Sequence, residues 1–304
     1  MKRFIFALIL ACSITYVLTA QEVNLKPYTL AGIQQGTKQD VHTMIIDQLE
    51  KAGFTIEGTY SPMQSDTLTV ICISHPTLLL NAKNSGGLLG FASVLRVGLH
   101  QTSEGIEVTY TTPAYWGNAY YRDQYSEVAA DYVSINTSLK EVFASLSNPT
   151  FLPFGSKKGL STKTLRKYHY MMAMPYFDDV VELAKDLPYE EAVKRIEERV
   201  QTNPDANIVY SVKFPIQGMA LYGIALTGDD GEKKFLPTID IGEPGHTPFL
   251  PYELLVLRDK TVMLHGRYRI ALSFPDLTMG TFMKIMSTPG YIAKIMGALV
   301  EDIK

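Results

Sequence analysis

The chain has 304 residues, 46% hydrophobic and 19% charged, which is enough to bury an ordinary core and long enough for two domains. Its formal charge of −3, with no Lys/Arg run beyond a pair such as Lys157-Lys158, excludes the electrostatic footprint of a nucleic-acid-binding protein. The N-terminus reads as an export signal: Lys2-Arg3 precedes a mostly apolar run from Phe4 to Leu18, and Leu18-Thr19-Ala20 before Gln21 forms a cleavage site with a small last residue. A membrane-anchored alternative is a lipoprotein acylated at Cys12, although the apolar region before it is short and Leu10 is bulky for that motif. An uncleaved membrane anchor is the third alternative, although a run of about 15 apolar residues falls short of the ~20 needed to span a bilayer; no stable span is expected after cleavage. The expected location is periplasmic or secreted. Cleavage leaves Cys72 as the sole cysteine, which rules out an intramolecular disulfide and makes it a small buried hydrophobe in a strand.

In chain order, residues 21–150 form a first unit. A strand over Tyr28–Ile33 leads to a capping signal at Thr37 to Asp40 and a helix with Val41, Met44, Ile45, Leu49 and Ala52 on one face, ended by Gly53. Strands over Phe54–Tyr60 and Leu68–Ser74 follow, then a short helix after Pro76, stopped at Gly86-Gly87. Ser93–Gln101 and Ile106–Thr112 make a hairpin. The aromatic segment Pro113–Tyr125 reads as a loop, and Glu127–Val133 and Ser138–Leu146 as two helical runs. Residues 151–178 form a linker, in which Thr162–Phe177 fits a helix as far as Ala173 or a strand from Tyr168.

The second unit, 179–304, begins with an extended run over Asp179–Leu187 and a helix whose apolar face is Tyr189, Ala192, Val193, Ile196 and Val200. Strands over Asn207–Phe214 and Ala220–Thr227 follow, then a Pro- and Gly-rich insertion, Phe235–Phe249. A second hairpin pairs Tyr252–Arg258 with a long return strand, Thr261–Phe274, before helical runs over Met279–Met286 and Tyr291–Ile303. Ile45 matches Val193 at an offset of 148 and Cys72 matches Ile224 at 152, so the spacing drifts by only a short loop. The expected fold is α+β: two tandem repeats, each an antiparallel sheet with helices on one face, joined as an internal pseudo-dimer packed near His169–Phe177.

Several of these residues resemble the domain-of-unknown-function 302 family, small bacterial and archaeal α+β domains. They are the helix Val41–Ala52 with Gly53-Phe54, His75-Pro76 with the helix after it, Gly87-Leu88-Leu89, and the hairpin to Pro113. In the second unit they are Leu250-Pro251-Tyr252 and the segment ending in Phe274-Pro275. The resemblance implies the fold and carries no activity. The chain departs from the family where a Pro-Cys pair often opens the hairpin, having Phe91-Ala92 and Pro251-Tyr252 instead, which puts any thiol-dependent role in doubt.

The six histidines show no metal-ligand spacing, and there is no G-x-S-x-G elbow, P-loop or dinucleotide fingerprint. One candidate constellation is His169, Met171, Met172 and Met174, whose imidazole and thioethers suit Cu(I) in an exported protein but equally suit core packing. The other is Trp116, Asn118, Tyr120 and Arg122, with Tyr176, where exposed rings stack on a small-molecule ligand and polar groups orient it, unless the rings cover a sheet face. The expected function is that of an exported, non-catalytic ligand-binding or accessory envelope protein. Periplasmic copper handling and an unrecognised enzyme are the alternatives.

Overall fold

The computed structural model describes residues 24–301, so the export signal and Cys12 lie outside the described residues. The first half runs β1 (Tyr28–Gln34), α1 (Lys38–Lys51), β2 (Thr55–Tyr60), β3 (Leu68–Ser74), α2 (Pro76–Ser85), β4 (Leu95–Thr102), β5 (Gly105–Thr111), α3 (Pro113–Tyr121), α4 (Tyr125–Phe143) and β6 (Asn148–Phe154). After α5 (Thr162–Arg166), the second half runs β7 (Val181–Lys185), α6 (Tyr189–Val200), β8 (Ala206–Phe214), β9 (Met219–Leu226), α7 (Glu232–Ile239), β10 (Tyr252–Leu257), β11 (Lys260–Met263), α8 (Gly266–Ser273), α9 (Met279–Lys284) and α10 (Thr288–Ala298). Both sheets are antiparallel, ordered β2-β3-β4-β5-β1-β6 and β7-β11-β10-β9-β8. Without β6, the first order is the second read backwards, strand for strand, so the fold is α+β with the same connections used twice.

Local chemistry explains why the shared elements form. The Thr37 hydroxyl accepts from the Asp40 amide at 3.1 Å, capping α1, which buries Val41, Ile45 and Leu49 toward its sheet. In α6 the buried set is Tyr189, Ala192, Ile196 and Val200. Each second strand carries one bulge, between Ile56 and Gly58 in β2 and between Ile208 and Tyr210 in β8. Aligning the bulges matches Cys72 with Gly223, one residue from the Ile224 expected from spacing. That matters because a one-residue slip exchanges sheet faces. In the matched registers Cys72 pairs with Arg96, and Gly223 with Glu253.

Other expectations change. The return strand of the second hairpin stops at Met263, because the His265 ring accepts from the Arg267 amide at 3.1 Å and caps α8. The insertion opens on the second part of α7, and the first four residues of the expected linker, 151–154, belong to an edge strand on β1. The two helical runs after the aromatic segment are one helix, α4, since Tyr125, Val128, Tyr132, Ile135, Leu139 and Val142 keep an unbroken helical spacing toward the core.

The halves share one core, but not centred on His169–Phe177. β2 lies against β8, the turn Gly87–Ser93 sits on β9 and β10, and its counterpart Thr247–Phe249 sits on β3, β4 and β5. Segment 168–177 instead closes one end: the Tyr168 hydroxyl donates to the Ala271 carbonyl at 2.8 Å, and Phe177 stacks on Tyr120 at 5.4 Å. Between the sheets, Arg96 and Glu253 form a buried ion pair at 2.7 Å. A Cβ at Gly58 would lie 2.0 Å from the Val209 carbonyl oxygen, so Gly58→Ala is expected to push β2 off β8 and cost about 1–3 kcal/mol in urea unfolding. A wild-type midpoint for that variant would mean the two strands do not press together.

Candidate functional site

A groove of about 570 Å³ opens between the halves. One wall is Leu152 to Lys157, the end of β6 and the loop after it; the other is the end of α7 with Ile241 to Pro244. Phe274 and the segment Asp276 to Thr278 line it as well, and Lys26 joins where the chain enters β1. The Asp276 carboxylate accepts from the Ser156 hydroxyl at 3.0 Å and the Lys157 amide at 2.5 Å, tying the loop after β6 to the second half.

His246 lies in this groove. Asp240, which follows α7, accepts from the His246 backbone amide with both oxygens, at 2.8 and 3.0 Å, and its Oδ1 lies 2.7 Å from the ring Nδ1. A carboxylate on Nδ1 selects the tautomer protonated there and leaves Nε2 as the acceptor of the neutral ring. Tyr28, Phe154 and Phe274 enclose the imidazole with centroids at 5.1, 5.8 and 4.4 Å. Nε2 is buried and has no hydrogen-bond partner among the described residues. Gly155, at φ +91°, backs that nitrogen; a Cβ there would sit 3.1 Å from Nε2 and 2.8 Å from Pro27 and Tyr28, so only glycine fits without displacement. An imidazole with fixed orientation and an unpartnered ring nitrogen can receive a hydrogen bond, or move a proton, from a group that reaches it.

The sequence does not single out this pair. Asp240 and His246 fall in the Pro- and Gly-rich insertion, to which the sequence assigns no element, and the enclosing rings come from three distant segments. The one local signal is an aspartate six residues before a histidine across glycine and proline.

The nominated residues sit elsewhere, and none lines the groove. The aromatic run is the helix α3, and its ring faces are covered, so it offers no open platform. Trp116 is 4% exposed, donates to the Pro27 carbonyl at 2.9 Å and lies 4.6 Å beneath the Arg269 guanidinium. Asn118 accepts from Arg166 at 2.9 Å, Tyr120 stacks on Phe177, and Arg122 pairs with Asp178 at 3.2 Å. Tyr176 is exposed and stacks on His169 at 4.4 Å, closing a loop on which the Met174 amide donates to the Met171 carbonyl at 3.0 Å. Met172 is 90% exposed, Met171 less so, and Met174 packs half-buried on the core. Among the described residues no three His, Cys, Asp or Glu side chains converge as a metal-binding group. Burial pushes the Cys72 thiol up to about 12, which keeps it protonated and unreactive. Among the described residues no helix is long and apolar enough to cross a membrane.

Neither a protein-family profile nor a curated protein matches the chain. Among solved structures, the chain is similar to the crystal structure of an uncharacterized conserved protein, DUF302, from Bacillus stearothermophilus. The TM-score is 0.33 at 14% identity, and the match covers 38% of this chain and 95% of that one.

Proposed function

We propose that the protein is an exported, non-catalytic binding protein of the cell envelope that holds a small molecule in the groove between its halves. The observation that carries this reading is His246: its ring is fixed by Asp240, its Nε2 is unpartnered, and it stands in the wall of a cavity within the ~300–1,000 Å³ range of small-molecule sites. We further infer that the halves are divergent tandem copies of one unit resembling the domain-of-unknown-function 302 family, packed as an internal pseudo-dimer. The repeated strand order and the matched bulges support that origin.

Native mass spectrometry of gently purified protein is expected to find a non-covalent adduct that denaturation releases. His246→Phe keeps a ring in the aromatic cage but removes both nitrogens, and is expected to lose most of the adduct while keeping the wild-type circular dichroism. Full retention of the adduct in that variant would place the ligand elsewhere. The Asp240–His246 pair also favours a second reading, acid–base catalysis on the bound molecule. Recovery of the released ligand unchanged after prolonged incubation with the protein supports binding alone; its conversion supports the enzyme.

A further inference from the structure

The chemistry of the groove narrows the ligand, if the groove is the binding site proposed above. Both lips turn a large aliphatic side chain outward: Leu152 is 56% exposed and Ile241 is 79% exposed. Leu152 comes from the first half and Ile241 from the second, and they line the groove together with Phe154, Phe274 and Leu277. Isolated exposed aliphatics are ordinary, but two on the lining of one largely apolar cavity, one from each half, extend its apolar surface outward, as a hydrocarbon would use it.

The two lysines of the lining lie close together. Leu25 and Leu160 exchange backbone hydrogen bonds at 2.8 Å, and the Asn24 side chain donates to the Lys158 carbonyl at 3.0 Å. The chain around Lys26 therefore runs antiparallel beside residues 155–160, placing Lys26 and Lys157 at the same end of the groove. Two carboxylates also line the cavity. Asp276 already accepts two hydrogen bonds from the Ser156–Lys157 loop, and Glu243 stands on the lip with Ile241. Neither lysine forms a salt bridge among the described residues.

We propose that the groove takes a long-chain aliphatic carboxylate, with its chain between Leu152 and Ile241 and over Phe154 and Phe274, and its carboxylate at Lys26 and Lys157. A wholly polar ligand leaves both lips wet. A neutral hydrocarbon leaves the lysines unused, and a cationic amphiphile meets them with like charge.

The sole tryptophan supplies the assay. Trp116 lies 6.2 Å from Tyr28, which lies 5.1 Å from His246, so a bound polyene takes up its excitation. Titrating the purified protein with cis-parinarate is expected to give saturable, equimolar energy transfer that hexadecanoate competes away. Hexadecyltrimethylammonium, kept below its micellar concentration, is expected to compete at least about tenfold more weakly, roughly 1.4 kcal/mol. Lys26→Glu with Lys157→Glu should weaken hexadecanoate by a similar factor and leave hexadecanol unchanged, whereas Ile241→Asp should weaken both. Equal competition by the ammonium, or a charge-reversed variant that binds hexadecanoate normally, overturns the assignment of the head group. Absence of parinarate transfer while a different adduct still depends on His246 overturns the ligand class and leaves the binding site standing; absence of any His246-dependent adduct overturns both.

Discussion

Replacing Arg96 with methionine is expected to cost about 3–5 kcal/mol, the penalty for stranding one member of a buried ion pair. Arg96 and Glu253 are 3% and 2% exposed at 2.7 Å, and the Tyr210 hydroxyl donates to the same carboxylate. Burial, the largest single influence, pulls the Arg96 guanidinium down, but Glu253 together with Tyr210, Cys72 and Tyr120 holds it above its usual range. Without Arg96, Glu253 keeps only the tyrosine and must stay charged in an apolar interior or take up a proton. The double variant Arg96→Met with Glu253→Leu removes both charges and is expected to recover most of the loss, because the pair's desolvation offsets much of its attraction. Urea unfolding of the four proteins in the cycle checks this, and a single variant within about 0.5 kcal/mol of wild type would show that water reaches the pair. Because the partners belong to different halves, the loss should shift one cooperative transition rather than open one half first.

Acidity is expected to stabilise the protein through Glu232. This carboxyl is 2% exposed at the start of α7 and accepts from the Leu226 amide at 3.1 Å, the Met63 amide at 2.9 Å and the Tyr60 hydroxyl at 3.3 Å, the last two from the first half. Burial pushes its pKa from 4.5 up to about 7, and those donors only partly offset it. The folded state therefore favours the protonated form. The contribution is fully present below 4.5 and is lost as pH rises through about 7, where the folded protein must release the proton it held. A rise of this size corresponds to about 3 kcal/mol. Burial lowers His42, His75 and His265, which push the other way as they lose their charge. The comparison with Glu232→Gln isolates the carboxyl: wild type should lose urea midpoint relative to the variant between about pH 5 and pH 8. Parallel curves would mean that Glu232 titrates as an ordinary surface acid.

Much of the fold is legible in the residues. The cap at Thr37, the helical spacing of α1 and α6 and the alternation in β4 and β5 are local signals, and they repeat because both halves bury the same faces. The failures have physical causes. Thr261–Phe274 carries apolar residues on both sides of His265-Gly266-Arg267, so periodicity alone does not place the boundary between strand and helix; it is made by one histidine ring turned back onto an amide. The aromatic run reads as a platform because its residue types suit stacking, yet α3 buries them among Pro27, Phe177 and Arg269. The groove is least legible. Tyr28, Phe154, Asp240, His246 and Phe274 converge only once β6 has joined the first sheet and the insertion has folded over it.

Arg96 and Glu253 hold the same place in the two strand registers, facing Cys72 and Gly223. Opposite charges at matched places make the halves a key and its lock. Two first halves joined the same way would set guanidinium against guanidinium, and two second halves carboxylate against carboxylate. Either mismatch costs several kcal/mol. Each half can therefore be completed only by the other, and exchange of like halves between chains is discouraged at the centre of the interface.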